Sequence, residues 1–244
     1  ACDNDEAWLV RACIAFNDAD DINKPNGNGH TPLHLACIYA HIDVVKLLLE
    51  SGAQKSLYHK DCTGNIPIED ALNREGFAIV KLLLKYHEKD KKKALENLGD
   101  AFGTAAAKQN LELVQLILEV TGPDIIHSHD SIGRTALHRS CFGSDDTEVM
   151  EFLLASGAKV NAVNTKGETP LFYTVYEGRP ECAKVLLAAG ATVNHRRNGG
   201  DTPLDCALGQ SRSAARAKMV EVLEAAGGLR AADLPDDDSD DEDA

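Results

Sequence analysis

The segment HTPLHLAC, from His30 to Cys37, places four potentially reactive side chains close together in the sequence. Thr31 could serve as a nucleophile, His30 and His34 as bases or metal ligands, and Cys37 as a thiolate. A nucleophile needs an activating base held against it, and a zinc site needs about four converging ligands. The sequence contains no CxxC pair, HExxH motif, nucleophile elbow or glycine-rich phosphate loop. We therefore predict no catalytic residue, no metal site and no cofactor.

The same segment returns along the chain at a nearly constant interval. Related segments start at five glycines: GHTPLHLA at Gly29, GNIPIEDA at Gly64, GRTALHRS at Gly133, GETPLFYT at Gly167 and GDTPLDCA at Gly200. The intervals are 35, 69, 34 and 33 residues, and the longest is about two periods. A copy with a degenerate start, DAFGTAAA from Asp100, fills the gap. A Leu-rich stretch with helical spacing follows each copy, so the repeating unit is a pair of helices.

A period near 33 residues with the pattern T-P-L-H-x-A resembles the ankyrin-repeat family. The resemblance extends from about Glu6 to Gly228 and comprises about six to seven repeats. It implies an all-α, ankyrin-repeat helical solenoid of antiparallel helix pairs joined by β-hairpin-like loops. The expected organisation is an N-terminal capping or partial repeat over residues 1–28, the solenoid over 29–228, and an acidic, disordered or peripheral tail over 229–244.

The repeated residues have structural explanations. Thr or Asp before each first helix is a predicted N-cap, and Pro fits the first helical turn, where its missing N–H costs nothing. The resemblance implies that His34 and His138 bind the loop to the helix start. Cys37 and Cys141 occupy a small, buried position and are predicted to be inert, because a reactive thiol needs exposure and a lowered pKa. Cys62 lies in a predicted loop, where it is either a modifiable thiol or a loop residue without a specific role.

Composition excludes several classes of protein. The net charge is −14, and the last twelve residues hold eight acids and no base, so a dominant basic footprint for direct nucleic-acid binding is missing. No apolar run approaches the roughly 18 residues of a membrane span, which predicts no membrane insertion. Seven irregularly spaced cysteines favour reduced thiols and a cytoplasmic and/or nuclear location. We expect a monomer.

The residues that do not repeat are the better candidates for a site. The ankyrin resemblance implies that partners contact the concave face, through variable positions late in each first helix. These positions hold Ile38, Tyr39, Arg74, Phe142, Tyr176 and Glu177. Aromatic and Arg side chains commonly anchor interfaces. The alternative is that one or two of the aromatic side chains only pack between repeats.

The predicted loop tips are mildly basic although the protein is acidic. They contain His30, His59, Lys60, His127, His129, Arg134, Lys166, Arg196 and Arg197. Such a row could attract an acidic segment of a partner or of the protein's own tail, or it could be ordinary solvated charge.

The tail has too little apolar content and too much like charge to fold by itself. Ser239, followed by Asp240, Asp241 and Glu242, resembles an acidophilic-kinase acceptor and is a possible phosphorylation site. The tail could hold a basic client or simply raise solubility.

These features predict a non-enzymatic module that binds another protein through the concave face and loop tips. One alternative is a chaperone or escort for a basic client of ribosomal or histone type, using the acidic tail. Another is a regulatory ankyrin segment of a larger protein, since the sequence does not begin with Met.

Overall fold

The protein is described by a computed structural model that covers residues 21–87, 91–209 and 214–235. Those residues form α-helices and short 3-10 turns, and an antiparallel bridge joins His129 to Thr135. The predicted all-α class is therefore confirmed. Residues 1–20 of the expected N-terminal cap, and residues 236–244 of the tail with Ser239, lie outside the described residues. The proposed organisation of the chain stays a prediction.

The chain divides into two compact units. Unit 1 comprises Ala1–Ala106 and Asn110–Ser128, and unit 2 comprises Ala107–Gln109 and His129–Ala244.

Unit 1 contains helix pairs whose first and second members form separate rows. Its helices are α1 (Pro32–Ile38), α2 (Ile42–Glu50), α3 (Pro67–Asn73), α4 (Phe77–His87), α5 (Lys91–Asn97), α6 (Gly99–Ala107, whose last residue belongs to unit 2) and α7 (Leu111–Thr121). First helices pack side by side, α1 on α3, and second helices do the same, α2 on α4 and α4 on α7. Short 3-10 turns cover Asp21–Asn23, Ala53–Ser56 and Pro123–His127.

Unit 2 repeats the arrangement. Its helices are α8 (Ala136–Arg139), α9 (Glu148–Ala155), α10 (Pro170–Glu177), α11 (Pro180–Ala188), α12 (Pro203–Gly209) and α13 (Ala214–Ala225), followed by a 3-10 turn at Ala231–Asp233. The first helices α8, α10 and α12 pack in one row, and the second helices α9, α11 and α13 pack in another. Neither helix of a pair could bury its apolar face alone, so stacking supplies the core.

The repeated histidines hold the starts of the first helices, as predicted. The Nδ1 atom of His34 accepts the backbone N–H of Thr31 at 3.1 Å, so the ring proton sits on Nε2, which donates to the carbonyl of Asn65 at 3.2 Å. His138 makes the equivalent bonds to Thr135 and Glu168, both at 3.1 Å. Each ring therefore joins its own helix start to the next repeat.

Other side chains take over this task where the repeat has no histidine. Glu69 Oε2 accepts the N–H of Ile66 at 2.8 Å, and Asp205 Oδ2 accepts that of Thr202 at 3.1 Å. The expectation of Thr or Asp at every N-cap is wrong for α3, where the N-cap residue is Ile66. The apolar side chain of Ile66 cannot cap the helix. Phe172 cannot accept a hydrogen bond, and the buried hydroxyl of Thr169 has no partner among the described residues.

The second helices end as the sequence predicted. Gly52, Gly157, Gly190 and Gly227 have φ values of 109°, 97°, 90° and 81°, the left-handed conformation that glycine adopts at low cost. The first helices differ, because non-glycine residues occupy this conformation after three of them: Ala40 (φ 57°), Glu75 (φ 60°) and Gln109 (φ 54°).

Small residues fill the positions where the helices approach closely. Ala36, Ala71, Ala105, Ala106 and Ala207 are buried, as are Cys37 and Cys141. The predicted burial of both cysteines is confirmed, and burial raises the pKa of both thiols, which disfavours the reactive thiolate. Cys62 is exposed.

Candidate functional site

The loop tips are shaped by a carboxylate or amide at their first position. Asn26, Asp61, Asp130 and Asn164 each accept backbone N–H groups from two and four residues ahead, at distances of 2.8 to 3.1 Å. Burial would raise the pKa of Asp61, but hydrogen bonds from Thr63 and Asn65 lower it overall. We did not predict these acceptors from the sequence, although their spacing of 35, 69 and 34 residues follows the repeat.

Arg197 interrupts this pattern in unit 2. It occupies the position that the acceptor residue has in the other tips. As in those tips, the backbone N–H of this residue donates to the carbonyl of the residue four positions ahead, here Asp201. An arginine cannot accept backbone N–H groups, so its side chain is available for other contacts. Nη2 and Nε donate to Asp201 Oδ2 at 2.5 and 3.0 Å, while Nη1 lies 3.4 Å from the hydroxyl of Tyr176 and 3.5 Å from Glu168 Oε1.

The aromatic rings next to this contact form a continuous cluster, in which Tyr176 is exposed, Phe142 is half-buried and Tyr173 is buried. We define the aromatic surface as Phe142, Tyr173 and Tyr176. Tyr173 lies edge-to-face against Phe142, with ring centroids 5.4 Å apart, and its centroid is 5.9 Å from that of Tyr176. The guanidinium carbon of Arg134 lies 5.4 Å from the centroid of Phe142. The aromatic surface is thus flanked by Arg134 at one end and Arg197 at the other.

Buried polar groups fix the two tyrosines. Asn164 Nδ2 donates to the hydroxyl of Tyr173 at 2.9 Å, and the hydroxyl of Tyr176 donates to Glu168 Oε1 at 2.8 Å. Burial raises the pKa of Tyr176, and the bond to Glu168 raises it further. Burial would raise the pKa of Glu168, but hydrogen bonds from Asn164 and Tyr176 lower it overall. Tyr176 therefore stays a neutral donor to an ionised carboxylate, with 37% of its surface exposed.

This surface unites residues that the sequence suggested in two separate groups. Phe142 and Tyr176 were predicted on the concave face, and Arg134 and Arg197 on the loop tips. Phe142 is half-buried and packs on Tyr173 of the next repeat, so the packing alternative describes part of its role. The sequence prediction missed Tyr173, Asn164 and Glu168, although Tyr173 lies three residues before Tyr176 and shares its helix face.

The predicted residues of unit 1 are more dispersed. Tyr39 is 67% exposed and stacks on His41 with centroids 6.2 Å apart. Ile38 is half-buried, and Arg74 and Lys60 are exposed. Two predicted tip residues turn partly inward: His30 Nε2 lies 3.1 Å from Asp61 Oδ2, and the ring of His59 lies edge-on to that of His34 at 5.9 Å.

The remaining predicted residues lie in or beside the loops of unit 2, apart from His127. Glu177, His129 and Lys166 are exposed, and so is His127 at the end of a 3-10 turn in unit 1. Arg196 is half-buried and donates to backbone carbonyls near Pro235. Among the described residues, no three His, Cys, Asp or Glu side chains form a group that could hold a metal ion. In the same residues, no helix is long and apolar enough to span a bilayer.

The sequence profile described as ankyrin repeats (three copies) matches residues 1–94, 71–164, 102–197 and 143–224. The chain belongs to the ankyrin-repeat family. The structure of the ankyrin repeat domain of Bcl-3, a member of the IκB protein family, is similar with a TM-score of 0.61 at 25% identity, covering 89% of this chain and 91% of that one.

Curated ankyrin-repeat relatives are much longer proteins. Neurogenic locus notch homolog protein 1 of Mus musculus is 29% identical over 176 residues, which is 70% of this chain and 6% of that protein. The ankyrin repeat and KH domain-containing protein mask-1 of Caenorhabditis elegans is 28% identical over 74% of this chain and 6% of that protein. The liver isoform of mitochondrial glutaminase of Rattus norvegicus is 36% identical over 38% of this chain and 15% of that protein. Ankyrin repeats are non-enzymatic modules for protein interaction, and this chain shares their fold.

Proposed function

We propose that this protein binds another protein through the aromatic surface of unit 2, with Arg134 and Arg197 as flanking contacts. The observation that supports this most directly is Tyr176, an exposed aromatic side chain fixed by a hydrogen bond to Glu168. Tyr and Arg are the residue types that most often dominate binding energy. Because the tyrosine is already ordered, binding would cost little side-chain entropy.

The same proposal extends to Tyr39 of unit 1 as an independent contact. Its ring is the most exposed of the large hydrophobic side chains in the described residues, at 67%. We further propose that the protein acts as a monomer in the cytoplasm or nucleus, with no enzymatic activity and no direct contact with nucleic acid.

The test uses a partner that is captured by its binding to the full chain and then purified. We expect Tyr176→Ala and Phe142→Ala each to weaken the affinity about tenfold or more, as hot-spot truncations do. Tyr176→Phe, which keeps the ring and removes only the hydroxyl with its contacts to Glu168 and Arg197, should weaken it by a smaller factor. Lys184→Ala truncates an exposed side chain of the second-row helix α11 and serves as control. If Tyr176→Ala, Phe142→Ala and Tyr39→Ala all bind like the parent protein, the proposal is wrong.

A further inference from the structure

The end of the described chain is fastened to the last loop tip of unit 2. Arg196 Nη2 donates to the carbonyls of Ala231, Leu234 and Pro235, at 3.0, 3.4 and 3.4 Å. The backbone N–H of Ala231 donates to Asp205 Oδ2 at 2.7 Å. These contacts place Pro235 beside Arg196, so residues 236–244 start from this point.

The positive charge of Arg196 is not neutralised by these bonds, because carbonyl oxygens are neutral acceptors. The neighbouring arginines differ. Arg197 contacts Asp201 at 2.5 Å, and Arg134 contacts Asp130 at 2.7 Å, so each has a carboxylate against it.

A second cation lies on the adjoining tip. Lys166 has an exposed side chain. Its carbonyl accepts the N–H of Asn198, at 3.0 Å, and Asn198 Nδ2 donates to the carbonyl of Thr165 at 3.1 Å. The tips that present Lys166 and Arg196 are therefore held side by side by backbone contacts. We call Lys166 and Arg196 the basic tip pair.

The sequence after Pro235 is complementary to this pair. Residues 236–244 read DDDSDDEDA, with seven acids in nine positions. Nine extended residues reach about 30 Å, which is ample for two tips in direct contact. A segment tethered so closely acts at an effective concentration of roughly millimolar, so even weak attraction favours the bound state.

We propose that residues 236–244 bind the basic tip pair of the same chain and compete there with an acidic segment of a partner. The surface is thus a receptor for acidic peptide, and the chain supplies its own occupant. The docking does not depend on the proposed function, whereas the competition rests on it, because the tip pair adjoins the aromatic surface through Arg197.

The docking is tested with a labelled peptide of residues 235–244 and fluorescence anisotropy. We expect the peptide to bind a chain that lacks 236–244 and to bind the full chain about tenfold more weakly, because the tethered segment occupies the same site. The affinity should fall as salt rises from about 50 to about 300 mM, since exposed charges are screened.

Charge variants of the shortened chain locate the site. Lys166→Glu and Arg196→Gln should each weaken peptide binding several-fold. Lys184→Glu, the matched charge change on the exposed face of α11, should not. Lys166→Glu is the decisive variant, since Arg196→Gln also removes bonds to residues 231–235. Equal binding by full and shortened chains, or undiminished binding by Lys166→Glu, overturns the proposal.

The competition is tested separately with the purified partner. If deletion of 236–244 tightens partner binding and Lys166→Glu weakens it, both the docking and the competition are supported. If the peptide docks but deletion leaves partner affinity unchanged, the competition is wrong. Deletion that weakens the binding of a basic partner overturns the competition too, and supports the escort alternative. A peptide that fails to dock while Tyr176→Ala still abolishes partner binding refutes only the present inference.

Discussion

At the scale of single residues, one task is performed by different side chains in successive repeats. In several first helices the third residue accepts the N–H that precedes the helix, and His34, Glu69 and Asp205 all do so. The type of side chain at this position decides which protonation state the buried group adopts. Burial lowers the pKa of His138 to about 4, whereas burial, with added repulsion from Asp100, raises the pKa of Glu69 to about 7. The histidine is therefore stable as a neutral ring, while the glutamate must fold with a buried charge above neutral pH.

Glu69→Gln should stabilise the protein at high pH and have little effect at low pH. The folded pKa of about 7 lies above the ordinary 4.5, so the wild-type chain loses stability as pH rises from 4.5 through 7. Glutamine keeps an oxygen for the N–H of Ile66 and has no charge to bury. We expect a gain of about 1 to 3 kcal/mol near pH 8 and almost none near pH 5, measured by urea unfolding. A gain that does not vary with pH would contradict the explanation.

At the scale of elements, four of the described first helices are followed by a residue in the left-handed conformation. Glycine has no steric penalty there, and Gly178 fills the position after α10 with φ 65°. Ala40, Glu75 and Gln109 do the same after α1, α3 and α6. The conformation is imposed by the next helix, which must turn back to pack on the first. Sequence propensity predicted the glycine ends of the second helices but not these three, because neighbouring packing overrides local preference.

Ala40→Gly should stabilise the protein by about 0.5 to 1 kcal/mol, because it removes the left-handed penalty at the cost of some chain entropy. Ala189→Gly is the matched control. Ala189 is also exposed and follows a helix, but its φ is −82°, so glycine there should destabilise by a similar amount. Chemical denaturation of the two variants gives the sign of each change. Two changes of the same sign would show that backbone conformation at Ala40 is not the cause.

At the scale of the whole molecule, buried histidines link stability to acid. Burial lowers the pKa of His34, and it lowers those of His87 and His138 to about 4. Neither nitrogen of His87 has a hydrogen-bond partner among the described residues, and its ring lies edge-on to Tyr58 at 4.7 Å. Protonating any of these rings would place a charge in the core.

The buried histidines should cost the protein stability as pH falls from 6.5 to about 4, and Glu69 and Asp70, whose raised pKa values favour the folded state in acid, offset part of this loss. These histidines remain neutral in the folded state and become protonated in the unfolded state, so acid favours unfolding. His87 and His138 each contribute up to roughly 3 kcal/mol of this loss. Urea unfolding at several pH values should show that the free energy of unfolding falls less with acid in His138→Gln than in the parent protein. This should hold even though the variant is less stable near neutral pH. NMR titration of His138 in the folded protein with a midpoint near 6.5 would contradict the prediction.

The sequence by itself determined the repeat, the helix pairs, the small residues between helices and the structural role of TPLH. All of these are local or periodic properties, so they can be recognised in a single amino-acid sequence. It also suggested Phe142, Tyr176, Arg134 and Arg197, but as members of two separate surfaces.

Only the tertiary structure joined these four residues, through Tyr173, Asn164 and Glu168. It also directed Arg196 toward the backbone of residues 231–235. The physical reason is that such contacts join residues about one repeat apart, and their geometry depends on how the repeats stack. A periodic pattern specifies that repeats stack, whereas the side chains that depart from the pattern decide what the stacked surface can bind.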